Sequence, residues 1–329
     1  MDSLPAFAGT KGRGNDRPKE APHNDSKKNM SKCLVTGGAG FIGSNLVDEL
    51  INQGHEVVII DNLSTGKKEN INSQAKFYEL DLKNLEDITP LFLGVDLVFH
   101  EAALARVQPS IENPVKYHDN NVNATLNVLV AARDAKVKKV VYASSSSIYG
   151  DQEKMPLTED MIATPISPYA LQKYIGEEYC RLFSYVYKLP VVCLRYFNVY
   201  GPRMATEGAY ASVVSIFSQQ MQRGESMTIA GDGTHWRTYT YVKDIVRANI
   251  LASQSDIADG RAINVGQSTE YTVNEIAKIF GGSMTNIQER IEPARNLCSN
   301  SLAKKLLGWE PFMDLPQWLP IYKKEMGLK

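Results

Sequence analysis

The feature that most constrains the fold is a glycine triplet set where an apolar run gives way to an amphipathic one. Gly37, Gly40 and Gly43 lie in Thr36-Gly37-Gly38-Ala39-Gly40-Phe41-Ile42-Gly43, after a strand-like run ending at Val35 and at the start of a helical pattern. Bare backbone there lets a pyrophosphate approach the first N–H groups of the helix, where unpaired donors and the helix dipole favour an anion. A glycine triplet alone also suits a tight turn. The strand before it and the helix after it turn the pattern into a dinucleotide site.

The rest of the chain repeats the same alternation. Strands are expected near 32–36, 56–60, 76–80, 96–100 and 139–144, with helices at 41–53 and about 117–135, then a helix from near Tyr169 and a strand from Val191 to Arg195. Alternation of this kind builds a parallel sheet covered by helices on both faces, a Rossmann-type doubly wound α/β fold. After Gly201 the spacing becomes irregular, with helices expected near 209–223, 242–254, 272–280 and 301–307. This suggests a smaller C-terminal lobe built around a second ligand. Residues 1–29 are rich in Gly, Pro, Lys, Asp and Asn and hold few apolar anchors, the composition of a disordered tail. The expected division is therefore a tail at 1–29, an NAD-binding Rossmann domain at 30–200 and a substrate lobe comprising mainly 201–329.

Composition narrows the function class. The chain has 329 residues, 43% apolar, enough for a large core. A net charge of -1 gives no field for a polyanion, so no nucleic-acid partner is expected, and Lys138-Lys139 and Lys304-Lys305 read as solvated element ends. No apolar run approaches the roughly 20 residues of a membrane span, and no signal peptide is visible. Cys33, Cys180, Cys193 and Cys298 show no paired close spacing, so reduced core thiols and a cytoplasmic location are expected.

Chemistry is carried further along. Tyr169-Ala-Leu-Gln-Lys173 stands 24 residues after Ser145 of the Tyr-Ala-Ser-Ser-Ser-Ser-Ile-Tyr-Gly run. Positions i and i+4 share a helical face, so the Lys173 ammonium can lie beside the Tyr169 phenol and favour its ionised form. Lowering a tyrosine pKa from about 10 to about 7 takes roughly 4 kcal/mol of preferential phenolate stabilisation, which the lysine and a positively charged nicotinamide ring could share. A Tyr and a Lys four apart are by themselves a packed ring and a solvated stem. Their order after the glycine loop and the serine run points to a hydride-transfer enzyme. Asp61, 18 residues after Gly43, ends the second strand where its carboxylate can accept from both adenosine ribose hydroxyls and repel a 2'-phosphate, favouring NAD over NADP. Asp81-Leu82 ends the third strand and can frame the adenine edge, or simply form the turn.

These residues resemble the extended short-chain dehydrogenase/reductase family, and within it the nucleotide-sugar 4-epimerases of the UDP-galactose and UDP-N-acetylglucosamine type. The similarity runs from about Lys32 to Trp309. It rests on the glycine motif from Thr36 to Gly43, Asp61-Asn62, His100-Glu101-Ala102-Ala103, the serine run, Ser167-Pro168-Tyr169-Ala170 through Lys173, and Leu194 through Pro202. The resemblance implies NAD held by Gly37, Gly40, Phe41, Ile42, Gly43, Asp61, Asn62, Asp81, Leu82 and Lys173. It implies that Tyr169 takes the sugar 4-hydroxyl proton while C4 gives hydride to NAD, that Ser145 relays or orients that proton, and that Lys173 holds the nicotinamide ribose. Asn198 would bond the diphosphate of a UDP-sugar, with Arg237 and Arg290 as bidentate clamps. Members that also dehydrate or decarboxylate carry acidic residues just after the hydroxyl residue, whereas this chain has Ser146-Ser147, which leaves epimerisation without elimination.

The match loosens at four places. Counted from Arg290, Leu297 falls where the resembling epimerases gate the sugar pocket, and its intermediate size leaves the N-acetyl preference open. The loop from Ala205 to Ala211 tilts towards the broad or N-acetylhexosamine branch. Arg237 is followed by Thr238 where the family usually has aspartate. Arg106 replaces a small residue and could meet a C6 carboxylate, the basis of a UDP-glucuronate 4-epimerase alternative; a non-catalytic NAD-binding protein of the same fold is the alternative from another class. The family also implies a homodimer through the helices near 117–135 and 168–188, with Leu171, Ile175 and Leu182 in the seam or, equally, facing their own sheet.

Overall fold

The computed structural model describes residues 30–205, 212–288 and 295–328. The expected tail at 1–29, Arg290, the start of the helix expected at 209 and nearly all of the 205–211 loop lie outside them. The first half alternates as expected: β1 Lys32–Thr36, α1 Phe41–Asn52, β2 Glu56–Asp61, β3 Lys76–Glu79, the short α2 Leu85–Ile88 and β4 Leu97–His100. Then come α3 Val107–Glu112, α4 Pro114–His118, α5 Ala124–Asp134, β5 Lys139–Ser145, α6 Pro168–Tyr187 and β6 Val191–Tyr196. The second half holds β7 Val199–Tyr200, α7 Val213–Gln222, β8 Met227–Ala230, β9 Trp236–Thr238, β10 Thr240–Tyr241, α8 Val242–Gln254 and β11 Arg261–Val265. It ends with β12 Glu270–Thr272, α9 Val273–Phe280, β13 Met284–Ile287, α10 Ser301–Leu307 and α11 Leu315–Glu325.

Among the described residues, seven strands form one parallel sheet in the order β11-β6-β5-β4-β1-β2-β3. Successive strand side chains point to opposite faces, so Cys33, Val35, Val57 and Ile59 enter one core with Leu46 and Leu50 of α1 and Ile245 and Ala248 of α8. Leu34, Val58, Ile60 and Val98 enter the other, against Val128 and Ala132 of α5 and Phe183 of α6. Burial on both faces is why these strands read as continuous apolar runs. A third core, around Phe217, Phe280 and Trp318, belongs to the C-terminal lobe.

Three features differ from the sequence reading. The edge strand β11 comes from beyond residue 201, and α8 packs on α1, so the chain passes into the C-terminal lobe and returns to the sheet. Its run escapes notice because Asn264 sits in it; that side chain is buried and satisfied, accepting from the Tyr149 hydroxyl at 2.7 Å and donating to the Leu157 carbonyl at 3.0 Å. The single helix expected over 117–135 is instead α4, a π-turn at Asp119–Asn123 and α5. The extra residue of the π-turn turns Asn121 inward, where it accepts from the Leu104 N–H at 2.8 Å and donates to the Leu104 carbonyl and Gln172 Oε1, each at 3.0 Å. Lys139 is buried rather than solvated, paired with Asp259 and donating to the Ser255 carbonyl at 3.0 Å. The four cysteines are free and buried.

Candidate active site

The ends of β1, β2, β3 and β4 open on a cavity of about 270 Å³. Gly40 caps α1 without any side-chain bond, so the first N–H groups of the helix have no capping side chain. Gly37 adopts φ +71°, and a Cβ there would stand 2.7 Å from the Ala102 backbone; a Cβ on Gly43 would stand 2.2 Å from the Gly37 carbonyl oxygen. The tight turn and the close helix approach each exclude a side chain. Asp61 holds this loop, accepting from the Ala39 N–H at 3.0 Å and the Leu63 N–H at 2.8 Å, and burial pushes its carboxyl above the ordinary value against those two bonds. Asn62 donates to Asp81 at 3.3 Å, tying the ends of β2 and β3. Phe41, Ile42 and Leu82 complete the wall, so every residue expected to hold NAD lines this cavity except Lys173. A bare helix N-terminus and a carboxylate at the second strand end fit a dinucleotide without a 2'-phosphate.

The residues expected to handle protons lie beyond the cavity, on α6 and β5. Ser167 caps α6 by accepting from the Ala170 N–H at 3.2 Å, with Pro168 in the first turn, which places Tyr169 at the helix start. The half-buried Tyr169 phenol bonds Ser145 at the end of β5; burial raises its pKa, while the Ser145 bond and the Arg106 charge pull it down. Lys173, one turn on, is buried and donates to the Ala143 carbonyl at 2.6 Å. Burial lowers its pKa to about 8, opposed chiefly by Glu101. The Lys173 ammonium is thus directed at the Ala143 carbonyl, where the spacing alone points to the phenol.

Glu101 is a site residue that sequence reasoning passed over, except as part of a motif. It lines the cavity, accepts from the Tyr196 hydroxyl at 2.8 Å and is pushed up to about 7 by burial. Its neighbour His100 is locked between Thr36 at 2.7 Å and Thr125 at 2.9 Å, and burial drops it to about 3, so it stays neutral and structural.

Of the expected substrate residues, Asn198, Arg237 and Leu297 lie on segments joined through Thr238, and Arg290 is outside the described residues. Asn198 has φ +28° and donates to the Thr238 carbonyl at 2.8 Å; Arg237, the neighbour of Thr238 on β9, donates to the Trp236 carbonyl at 2.8 Å. The buried Thr238 hydroxyl accepts from the Cys298 N–H at 3.3 Å, and Asn296 donates to Ser146 at 3.3 Å. Half-buried Leu297 is carried between them and accepts from the Leu157 N–H at 2.7 Å. Thr238, standing where an aspartate is usual, therefore ties Asn198 to the Leu297 segment.

Beneath the site runs a buried polar chain. Ser144 on β5 donates to Glu177 on α6; Glu177 pairs with Arg195 on β6; Arg195 donates to the Tyr149 hydroxyl at 2.7 Å, which donates to Asn264 on β11. The only sequence signal is a charge inside an apolar strand.

Residues 33–266 match the model of the NAD dependent epimerase/dehydratase family. The chain belongs to this family. NAD is accordingly its cofactor, in agreement with the glycine cradle. The solved UDP-glucose 4-epimerase of Thermotoga maritima, with UDP-glucose, is 38% identical over 90% of this chain and 99% of its own, with a TM-score of 0.86. A UDP-N-acetylglucosamine 4-epimerase of Methanobrevibacter ruminantium in complex with UDP-N-acetylmuramic acid is 36% identical over 90% and 99%, TM-score 0.84. A UDP-glucuronic acid 4-epimerase of Bacillus cereus in complex with UDP-glucuronic acid and NAD is 32% identical over 90% and 99%, TM-score 0.82. Among the described residues no helix is long and apolar enough to cross a membrane, and no His, Cys, Asp and Glu cluster is set to hold a metal.

Proposed function

We propose that this chain is an NAD-dependent 4-epimerase of UDP-hexoses, interconverting UDP-glucose and UDP-galactose, with their N-acetyl forms as further substrates. The observation that carries this reading is the Tyr169 phenol bonded to Ser145 next to the dinucleotide cleft, with serines and no carboxyl in the two positions after Ser145. NAD, when bound, supplies the hydride acceptor and donor for C4. Tyr169 takes the O4 proton as C4 is oxidised and returns it when the carbonyl is reduced on its other face, so the cofactor is regenerated within each turnover. Ser145 orients O4 through its bond to the phenol. Lys173 keeps α6 docked on β5 through the Ala143 carbonyl, and holding the nicotinamide ribose is the further role we assign to it. Asn198, Arg237 and Arg290 hold the diphosphate while the sugar turns. With Ser146 engaged by Asn296 and no acid beside it, C5 proton abstraction has no carrier in the serine run.

A UDP-glucuronate 4-epimerase is the second reading, favoured by Arg106 on the cavity wall. We also infer a homodimer formed through α6 and the helices beside it, supported by Leu171 and Leu182, which α6 leaves 47% and 44% exposed; Ile175 is half-buried. The test of the catalytic reading is conversion of UDP-glucose by wild type and Tyr169→Phe. Loss of about 10²-fold or more in the variant supports it. Equal rates would remove Tyr169 as the base, and no conversion by the NAD-loaded wild type would leave a non-catalytic NAD-binding protein.

A further inference from the structure

The buried Lys173 ammonium donates to one carbonyl, that of Ala143 at 2.6 Å. An ammonium brings three donors and a charge, and burial disfavours that charge unless its surroundings answer it. The carboxylates that act on it are engaged elsewhere: Glu177 is paired with Arg195 and accepts from Ser144, and Glu101 accepts from Tyr196. The other group against the ammonium is an aromatic face. Its nitrogen stands 5.0 Å from the centre of the Tyr142 ring on β5, inside the range in which the negative face of a ring attracts a cation.

Tyr142 is built into this place. It is fully buried, and its ring is tilted against the His100 ring at 5.6 Å. His100, locked between Thr36 and Thr125, is neutral and does not compete for the ring as a cation. Gly176 of α6 makes the room: a Cβ there would stand 2.2 Å from the Tyr142 hydroxyl oxygen and 2.6 Å from Cζ. That hydroxyl has no hydrogen-bond partner. A buried phenol usually finds one, so the ring is held here for its face and volume and not for its hydroxyl.

We propose that Tyr142 is a positioning residue for the proton transfer, its ring seating the Lys173 ammonium as a cation one turn along α6 from Tyr169. This deepens the reading of Tyr169 and Lys173 as the working pair and rests on it. The titratable groups around the ammonium are Glu101 at the end of β4, Glu177 and Cys180 on α6 and Cys193 on β6, with Tyr142 on β5 and His100 beyond its ring. Burial raises the Tyr142 phenol, which stays neutral, and pushes Glu101 up to about 7, so below that pH Glu101 gives the lysine little support. The Ala143 carbonyl and the ring then hold the charge. Burial already brings Lys173 down to about 8, and loss of the ring would carry its titration into the neutral range.

The test is an NMR titration of the NAD-loaded protein carrying isotope-labelled lysine, with the Lys173 signal assigned by its loss in Lys173→Met. Tyr142→Leu should lower the Lys173 transition by about one unit, and Tyr142→Phe, which keeps the face, should hold it at the wild-type value. A ring-trifluorinated phenylalanine in place of Tyr142 keeps the shape but drains the face of negative charge, so it should lower the transition as leucine does. The basic limb of kcat/KM for UDP-glucose should fall by the same interval, with a rate about tenfold lower above both transitions. Equal Lys173 transitions in the phenylalanine and fluorinated proteins overturn the inference. So does a shifted transition with an unmoved basic limb, which would leave Tyr142 a packing residue. A shifted transition in a protein that turns over no UDP-sugar would uphold the aromatic seat and sink the epimerase reading instead. If Tyr142→Leu does not fold, the phenylalanine and its fluorinated form carry the same comparison.

Discussion

Glu177 of α6 and Arg195 of β6 form a two-point ion pair, Nε to Oε1 at 2.9 Å and Nη2 to Oε2 at 2.8 Å, with both residues buried. Glu177 stands one turn beyond Lys173, so the pair pins α6 to the sheet next to the residues proposed to handle the proton. A buried pair costs desolvation, and removing one partner leaves the other charge stranded. Glu177→Ala is therefore expected to destabilise the protein by about 3–5 kcal/mol. Denaturant unfolding measures it; a loss below 1 kcal/mol would mean that water or a rearranged Tyr149 satisfies Arg195.

Gly43→Ala places a methyl 2.2 Å from the Gly37 carbonyl oxygen, a backbone atom that cannot swing aside. Overpacking of this kind costs about 1–3 kcal/mol, here falling on the turn that receives the pyrophosphate. NAD binding is expected to weaken by about 5- to 150-fold in calorimetry. An unchanged Kd would show that the dinucleotide does not sit on α1.

Asp61→Asn keeps the shape but loses the charge that accepts from Ala39 and Leu63. It should weaken NAD binding and narrow the preference for NAD over NADP, because the repulsion of a 2'-phosphate is removed. Competitive binding of the two cofactors reads both effects. A preference that does not move would detach Asp61 from the ribose.

Glu101 titrates near 7 in the folded protein, above the ordinary carboxyl value of 4.5. Between those pH values the folded state holds more of this proton than the unfolded state, so this group's contribution to stability falls as pH rises through the window. His100, lowered to about 3, acts oppositely, its neutral form becoming more favourable up to about 6.5. Glu101→Gln removes only the first effect. Its melting temperature relative to wild type should therefore climb between about pH 4.5 and 7; a constant difference would place Glu101 at an ordinary carboxyl pKa.

Much of the fold is legible because parallel strands buried on both faces must be apolar throughout, as in Val57 to Ile60, and because glycines at 37 and 43 have no alternative. β11 is hidden because Asn264 and Arg261 interrupt its apolar run, and their justification lies in partners more than 100 residues away for Asn264. Helix α11 carries Pro316 in its first turn and Pro320 inside, so local propensity argues against it while packing of Trp318 and Leu319 on the lobe core prevails. At the site, the meeting of Tyr169 with Ser145 and the gathering of the expected glycines, Asp61 and Asp81 on one cavity follow from spacing. The direction of the Lys173 ammonium does not, since helical periodicity assigns faces but says nothing of which carbonyl a flexible side chain will choose. Thr238 likewise reads as a lost carboxylate until its carbonyl is found holding Asn198.

The most direct measurement is incubation of the purified protein with UDP-glucose, UDP-N-acetylglucosamine and UDP-glucuronate in separate reactions, without added reductant, with products resolved by anion-exchange chromatography. Formation of UDP-galactose from UDP-glucose is the predicted result, and conversion of the N-acetyl sugar would show that Leu297 admits the larger substituent. No 4-epimer from any of the three, in protein that carries NAD, would contradict the assignment.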